Sequence, residues 1–365
     1  MIQQAQQLSY RRFLAYAALA VGVALVPVLV WQLGWILILG FAAILIAILL
    51  HVVSEPLQRW TPLPVWADLV VAGLIVLAFV ALGGWIFGSQ LSGEFSDVMT
   101  RVQAGIAQLR ALLHQSPTGE FILSRVSGAS LPVGGLFGRV VTTFITILEA
   151  VIVIVMSAAY MAAEPAVYRT GLVRLFGPAQ EDWADDTIVA VAQALRYWLL
   201  GQFIEMALIG AMTTVAVWLI GLPSPLALGV IATLTEFVPY LGPILAAVPA
   251  LLVAVTGGPG QVIWTLVAYI LIHQIEGNLV MPQIQKRMVY IPPALMLIGI
   301  AGLGALAGIL GFVFAAPMMV AIFVVVQKAY VRDTLKEEVT LPGEKHDEPD
   351  RGDELESDRL PHSHS

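Results

Sequence analysis

Long apolar segments recur along the chain and constrain its fold more than any other feature. A helix needs about 20 apolar residues to cross a bilayer, and only 12% of the 365 residues are charged, about half the share found in soluble domains. The sequence therefore predicts an all-α integral membrane protein and not a soluble enzyme. Clear candidate spans lie at 13–33, 35–53, 65–90, 139–162 and 197–220.

Two longer apolar blocks, 225–256 and 293–327, are separated by a further span at 261–281. Both are interrupted near their middles by proline or glycine, which disfavour helix interiors. Each block is therefore predicted to be two helices joined by a turn, which gives about six full transmembrane helices plus two broken-helix hairpins. The interruptions are Pro239, Gly242 and Pro243 in the first block and Gly308 and Gly311 in the second.

Lysine and arginine decide the predicted orientation, because cytoplasmic loops hold their excess. If Arg11 and Arg12 lie inside, segment 91–138 lies outside. Lys286 and Arg287 then face the cytoplasm only if the first apolar block enters and returns on the same side. The prediction is a multi-pass protein of the bacterial cytoplasmic (inner) membrane with both termini cytoplasmic.

The chain divides into membrane and extramembrane stretches. The helix predicted at 91–113 is amphipathic and is expected to cap the outer mouth or pack on a neighbour, with a substrate-capturing lid as the alternative. The whole net charge of −7 comes from the acidic tail, so nothing resembles the basic surface of a nucleic-acid binder. The predicted divisions are 1–90 (three spans), 91–138 (extramembrane helical insertion), 139–196 (a span and a cytoplasmic amphipathic helix), 197–260 (a span and the first hairpin), 261–332 (a span and the second hairpin) and 333–365 (disordered tail).

The two hairpin blocks align without gaps at an offset of 68 residues. Pro225 and Pro249 fall where Pro293 and Pro317 fall, and each block follows a span that carries a glutamine and a glutamate. Because the charge rule gives the two units opposite orientations, we interpret them as a weak inverted repeat. Inverted repeats whose broken helices meet near the midplane are a recurrent transporter design.

Four carboxylates, Glu149, Glu205, Glu236 and Glu276, lie within apolar segments that contain no lysine or arginine. An ionised group at the bilayer centre costs at least about 2.5–3.5 kcal/mol, so each must be protonated, hydrated or neutralised by a cation. This chemistry favours proton or Na⁺ coupling. Glu149 stands alone among aliphatic residues and is equally well interpreted as a protonated helix-packing group.

Polar neighbours strengthen the interpretation of the other three carboxylates. Glu236 directly precedes a turn rich in proline, and proline removes backbone donors, so freed carbonyl groups there would line a cavity or be buried in protein. The alternative is a purely structural kink. The polar residues near Glu205 and Glu276 along the chain are Gln202, His273, Gln274 and Asn278.

Several residue types and motifs are absent from the sequence, and their absence excludes some classes of reaction and binding site. The chain has no cysteine, which excludes disulfides and thiolate metal sites. It also lacks a G-x-x-x-x-G-K-[ST] nucleotide loop, an H-E-x-x-H motif and a G-x-S-x-G motif. We therefore predict no enzymatic activity, no metal site and no cofactor. Energy for transport must come from a gradient or a partner, or transport is not driven at all.

Segment 236–243, Glu-Phe-Val-Pro-Tyr-Leu-Gly-Pro, and segment 274–282, Gln-Ile-Glu-Gly-Asn-Leu-Val-Met-Pro, resemble the autoinducer-2 exporter family of bacterial transporters. Pro292-Pro293, Gly308, Gly311 and Pro317 also fit, and the span layout fits over nearly the whole chain. The resemblance implies export of small polar molecules such as the quorum-sensing signal autoinducer-2, although some relatives are described as Na⁺/H⁺ antiporters.

Three functions follow as hypotheses: a gradient-driven exporter of a small polar solute, a cation/proton antiporter, and a non-coupled pore or scaffold formed by a homo-oligomer. The expected partners are the lipid bilayer, a small solute or ion, and further copies of the chain. The family resemblance implies most of the predicted site residues. Glu205 is not among them, and it is predicted only because it is a carboxylate within an apolar span. The predicted substrate- or ion-binding residues are Glu205, Glu236, Tyr240, Gln274, Glu276 and Asn278, and those predicted to shape the hairpins are Pro239, Gly242, Pro243, Pro282, Pro292, Pro293 and Pro317.

Overall fold

The computed structural model describes residues 32–59, 61, 64–86, 92–115, 151–285 and 291–332. These residues form helices and no strand, which confirms the all-α prediction for this part of the chain. The elements in chain order are α1 (Gln32–Arg59), α2 (Val65–Ile86), α3 (Ser92–Leu113), α4 (Val151–Ala163), α5 (Pro165–Arg174), a 3₁₀ turn (Pro178–Gln180), α6 (Glu181–Ile220), α7 (Pro225–Thr235), α8 (Gly242–Gly257), α9 (Pro259–Ile275), a π-helix (Glu276–Val280), α10 (Met281–Gln285), α11 (Pro293–Val326) and a second π-helix (Gln327–Arg332).

Within the described residues, four helices are long and apolar enough to cross a membrane by length and composition alone, and one of these, α11, is bent back on itself. A fifth is added if α4 and α5, which meet at a 91° bend, count as one broken span. The prediction of six full spans stays a prediction. Glu149, Lys286, Arg287 and the acidic tail lie outside the described residues.

Helix α6 contains the predicted span 197–220 but begins at Glu181 and has 40 residues. At 1.5 Å per residue it is about 60 Å long, twice the apolar thickness of about 30 Å. Its polar N-terminal part pairs with α5 through Arg169 and Asp185. The helix ends at Ile220 and is followed by Gly221, whose φ of 78° is the left-handed C-terminal conformation that glycine favours.

Helices α7 and α8 form the first hairpin, broken where proline and glycine interrupt the sequence. They have 11 and 16 residues, about 17 and 24 Å, so neither reaches across an apolar layer of about 30 Å. A Cβ atom on Gly242 would lie 2.6 Å from the carbonyl oxygen of Thr235, so this close approach requires glycine. Pro243 follows in the first turn of α8, where its missing N–H is not needed.

Helix α11 is a second hairpin, because its backbone leaves helical geometry at Ala307 (φ −134°, ψ 20°) and Gly308 (φ 60°, ψ −137°). The two halves fold back on each other: Cβ atoms on Gly304 and Gly299 would meet Phe312 and Met319. The hairpin prolines flank this turn and do not form it. Pro292 and Pro293 begin the first half, and Pro317 is buried within the second half.

Helix α6 connects the two hairpins. Its C-terminal part, with Ile209 and Val217, shares a hydrophobic cluster with α3, α7, α8 and α9. An earlier part, with Leu195 and Trp198, shares a second cluster with α1 and α11. Glu205 lies between these two stretches of α6, so it sits at the junction of the two clusters.

Helix α3 is the amphipathic helix predicted at 91–113, and it packs on the first hairpin. Glu94 Oε2 accepts a hydrogen bond from the backbone N–H of Ala227 at 3.0 Å, one of the donors left free in a first helical turn. Asp97 Oδ2 accepts one from Ser224 Oγ at 3.2 Å. The hydrogen bond from Arg101 holds the pKa of Asp97 below its usual range, so Asp97 stays ionised to a lower pH than an unpaired aspartate does.

We expect an impermeant thiol reagent to label Gln103→Cys in intact cells and not Gln285→Cys. The reason is the predicted orientation, in which the insertion faces outward and the loop after α10 faces the cytoplasm. Because the chain contains no cysteine, each variant has a single reactive site. Membrane permeabilisation should expose position 285. Labelling of position 285 in sealed cells would overturn the orientation.

Candidate functional site

Three buried or part-buried carboxyl groups from three separate elements meet at one point. Glu205 comes from α6, Glu236 from the turn after α7, and Glu276 from the π-helix after α9. One oxygen atom from each lies within 4.8 Å of the others. We call this set the carboxylate cluster. It joins the central helix, the first hairpin and α9, all of which also pack together in one hydrophobic core.

Gln202 fastens α6 to the hairpin turn. Its side-chain Nε2 donates a hydrogen bond to the backbone carbonyl of Glu236 at 3.0 Å, and this contact is buried. Gln202 lies about one helical turn before Glu205, so both side chains are on the same face of α6. The turn is therefore held against α6 at the residue that supplies the second carboxylate.

The hairpin turn after Glu236 is conformationally unusual. Tyr240 has a φ of 64°, a region that costs non-glycine residues free energy and is enriched at functional sites. Its side chain is exposed. Phe237 packs edge-on against Trp198 of α6, with ring centroids 5.8 Å apart and an interplanar angle of 81°. Aromatic packing thus anchors the beginning of the turn, while Tyr240 absorbs the strain of the chain reversal.

The π-helix begins at Glu276 itself, and π-helical turns occur frequently at functional sites. One turn earlier, His273 Nδ1 lies 2.6 Å from Glu276 Oε2. This imidazole pairs with the cluster and orients one carboxylate oxygen of Glu276.

Burial makes this arrangement expensive for ionised carboxylates. Glu205 is 5% exposed and Glu236 is 2% exposed. Glu205 Oε1 and Glu236 Oε2 accept no hydrogen bond from any residue that the structure describes. A buried, unpaired charge costs several kcal/mol or more, so the cluster must carry protons or hold a cation.

The structure brings together three of the six predicted binding residues. Gln274 and Asn278 are exposed and bond each other: Asn278 Nδ2 donates to the backbone carbonyl of Gln274 at 2.9 Å and to its side-chain Oε1 at 3.1 Å. Tyr240 contributes backbone geometry at the turn. Pro282 is exposed in the short helix α10.

His273 and Gln202 contact the cluster; both were identified from the sequence as polar neighbours of the glutamates, but neither is among the predicted binding residues. The available signal was spacing, because each residue lies three positions before a glutamate of the cluster and helix neighbours at this spacing share a face. The same rule also favours other polar residues nearby. The spacing of residues along the helix was therefore not enough to predict which of the polar side chains face the carboxylates.

Several apolar helices, two helical hairpins and a buried carboxylate cluster are features typical of multi-pass membrane transporters. Comparison with known proteins agrees. The chain belongs to the AI-2E family of transporters, because the model of that family matches residues 14–332.

Similar proteins are also named for transport. YrrI of Bacillus subtilis is 34% identical over 127 residues, which cover 35% of this chain and 36% of YrrI. YueF of the same organism is 29% identical over 154 residues, 42% of this chain and 38% of YueF. A Thermotoga maritima protein is 24% identical over 280 residues, 75% of this chain and 85% of that protein. The matched stretch thus spans little more than a third of the two Bacillus relatives and most of the Thermotoga one.

Proposed function

We propose that this protein is a secondary transporter that exports a small polar solute across the bacterial cytoplasmic membrane, driven by a cation gradient. The observation that carries the proposal is the convergence of Glu205, Glu236 and Glu276, from three different elements, within 4.8 Å. These carboxylates are the coupling site, and both termini face the cytoplasm.

The position of the cluster explains how a bound cation acts on the fold. A cation held between the three carboxylates draws α6, the first hairpin turn and the π-helix together, because each supplies one ligand. Without it, like charges at this distance repel and favour separation of the hairpin from α6. The closed and separated arrangements bind the cation with different affinities. This difference sets the free energy by which cation binding can drive solute transport.

Family membership and motif resemblance support a solute like autoinducer-2, a small polar ring compound. The alternative is cation/proton antiport, which would use the same carboxylates. Exchange of a cation for protons at the cluster needs no organic solute. Homo-oligomers embedded in lipid fit the proposal, with the transport path within each chain.

Uptake of labelled autoinducer-2 into everted membrane vesicles tests the proposal, because export from cells becomes uptake there. Vesicles containing the protein should accumulate the label several-fold above vector-only vesicles, and ionophores that collapse the cation gradients should remove this excess. Uptake indifferent to ionophores would indicate a pore. Cation-for-proton exchange without solute uptake would indicate an antiporter.

A further inference from the structure

An open groove lies where α3, α6 and the first hairpin meet α9. Its volume of about 530 Å³ is within the range of about 300–1,000 Å³ that is typical of small-molecule pockets. We propose that the groove binds the transported solute, and that this solute is a small uncharged ring compound with several hydroxyl groups. The inference rests on the proposed function and gives its solute a site and a chemical class. The lining includes Arg101 of α3, Trp218 of α6, Ser224 in the turn before α7, Thr256 of α8 and Gln261 of α9.

The groove is separate from the carboxylate cluster, although the same elements contribute to both. Trp218 is about 20 Å from Glu205 along α6, at 1.5 Å per residue. Gln261 is about 22 Å from Glu276 along α9 at the same rise. In the predicted orientation the groove is at the outer end of these helices, which is where an exported solute leaves the protein.

Arg101 supplies hydrogen-bond donors at the groove. Its Nε donates to Asp97 Oδ2 at 2.8 Å, and a guanidinium carries further N–H donors on its two terminal nitrogens. Ser224 Oγ donates to the same carboxylate oxygen at 3.2 Å, so Asp97 holds Arg101 beside the turn after α6. Of the described residues that line the groove, Arg101 alone is charged. Because Asp97 compensates this charge, the groove favours hydroxyl groups over an anionic group.

Gln261 and Thr256 add neutral hydrogen-bonding groups. Gln261 Nε2 donates to the backbone carbonyl of Gly221 at 3.3 Å, which orients the amide. A Cβ atom on Gly257 would collide with Gln261 Oε1, so glycine leaves the space that the amide occupies. Thr256 Oγ1 donates to the carbonyl of Val253 at 2.7 Å, and a hydroxyl that donates still accepts. The groove thus offers both donors and acceptors, which ligand hydroxyl groups require.

Trp218 gives the groove an aromatic surface, and its side chain is 67% exposed. The apolar C–H groups of a ring compound pack on an indole face while its hydroxyl groups bond polar side chains. This combination of an aromatic wall with a few polar groups is typical of small-molecule sites. Trp264 of α9 is similarly exposed, at 64%, and does not line the groove, so it is a matched control.

The backbone beside the groove is strained at Ser224. Its φ of 58° lies in a region that costs non-glycine residues free energy and is enriched at functional sites. A serine that precedes a helix usually caps it, but the Ser224 side chain makes no capping hydrogen bond to α7. Its hydroxyl donates to Asp97, so this strained residue helps to position Arg101.

Equilibrium dialysis of the purified full-length protein with labelled autoinducer-2 tests the inference on the unmodified chain. We expect saturable binding of one molecule per chain. Unlabelled ribose, an uncharged ring compound rich in hydroxyl groups, should displace the label, and ribose 5-phosphate should do so no better. No saturable binding, or displacement by ribose 5-phosphate alone, overturns the proposal.

Arg101→Gln and Trp218→Leu should each weaken this binding about tenfold, since one removes charged donors and the other the aromatic face. Both variants should fold, because an exposed ion pair contributes little stability and Trp218 is exposed. Arg110→Gln, at an exposed position of α3, and Trp264→Leu are the controls and should bind normally. Unchanged binding in both groove variants, or an equal loss in Trp264→Leu, contradicts the assignment.

Protection of an introduced cysteine locates the bound solute. Because the chain contains no cysteine, Thr256→Cys gives a single reactive thiol in the groove, and Gln103→Cys gives one at an exposed position outside it. Autoinducer-2 well above its Kd should slow modification of position 256 several-fold and leave position 103 unchanged. Binding without protection of position 256 places the solute elsewhere and overturns the groove site.

The binding and transport measurements fail independently. Gradient-driven uptake that Arg101→Gln and Trp218→Leu leave unchanged overturns the groove site and leaves the transporter proposal standing. Binding and protection at the groove without gradient-driven uptake support the site and overturn the proposed transport.

Discussion

Glu236→Gln is expected to abolish the dependence of solute transport on a cation gradient while leaving the protein folded. Glutamine has nearly the same shape, so the packing of the hairpin turn against α6 and the hydrogen bond from Gln202 to the backbone of residue 236 remain. What is lost is one of the three ionisable carboxyl groups in the cluster. Gradient-driven uptake into everted vesicles should fall at least tenfold, equivalent to about 1.4 kcal/mol of coupling free energy.

Glu276→Gln should have the same effect because its carboxylate shares the cluster. Glu181→Gln serves as the control, and gel filtration of each variant checks that it remains monodisperse. A wild-type response to pH and Na⁺ gradients in both cluster variants would reduce these residues to helix-packing groups. The remaining explanation would then be uncoupled diffusion through the protein.

Gly311→Ala is expected to destabilise the second hairpin severely. A Cβ atom at this position would collide with the backbone carbonyl of Leu303 in the opposite half of α11. Backbone cannot move aside as a flexible side chain can, so we expect a cost of at least about 3 kcal/mol. Tm in detergent should fall by roughly 10 °C, and the yield of monodisperse protein should drop.

Gly302→Ala provides the matched control on the same helix. A Cβ atom on Gly302 meets nothing within 4 Å, and alanine is the better helix former. This variant should therefore be as stable as the unmodified protein or slightly more so. Equal Tm values for Gly311→Ala and Gly302→Ala would show that the two halves of α11 do not pack as described.

Local breaks in the fold could be predicted from the sequence, because they depend on the residues at the break. The first hairpin turns where Pro239, Gly242 and Pro243 interrupt the apolar block, and Gly308 supplies the positive φ of the second turn. Helix ends were less predictable. Hydropathy locates the apolar part of α6 near 197–220, whereas the helix continues through polar residues back to Glu181.

The candidate site was predictable in part. Buried carboxylates in apolar segments identify Glu205, Glu236 and Glu276 because an ionised group there is costly. The exposed placement of Asn278 was not predictable, since the π-helix that begins at Glu276 changes which side chains share a face after that point. Bringing three elements to one point depends on long-range packing, which local sequence patterns do not specify.

Uphill solute accumulation in liposomes that contain only the purified protein tests the central claim most directly. With equal solute concentrations on both sides and an imposed cation gradient, the unmodified protein should concentrate the solute several-fold, and Glu236→Gln should leave the concentrations equal. A cation gradient that drives no net solute movement in the unmodified protein, while solute still equilibrates down its own gradient, would contradict coupled transport and indicate a passive pore.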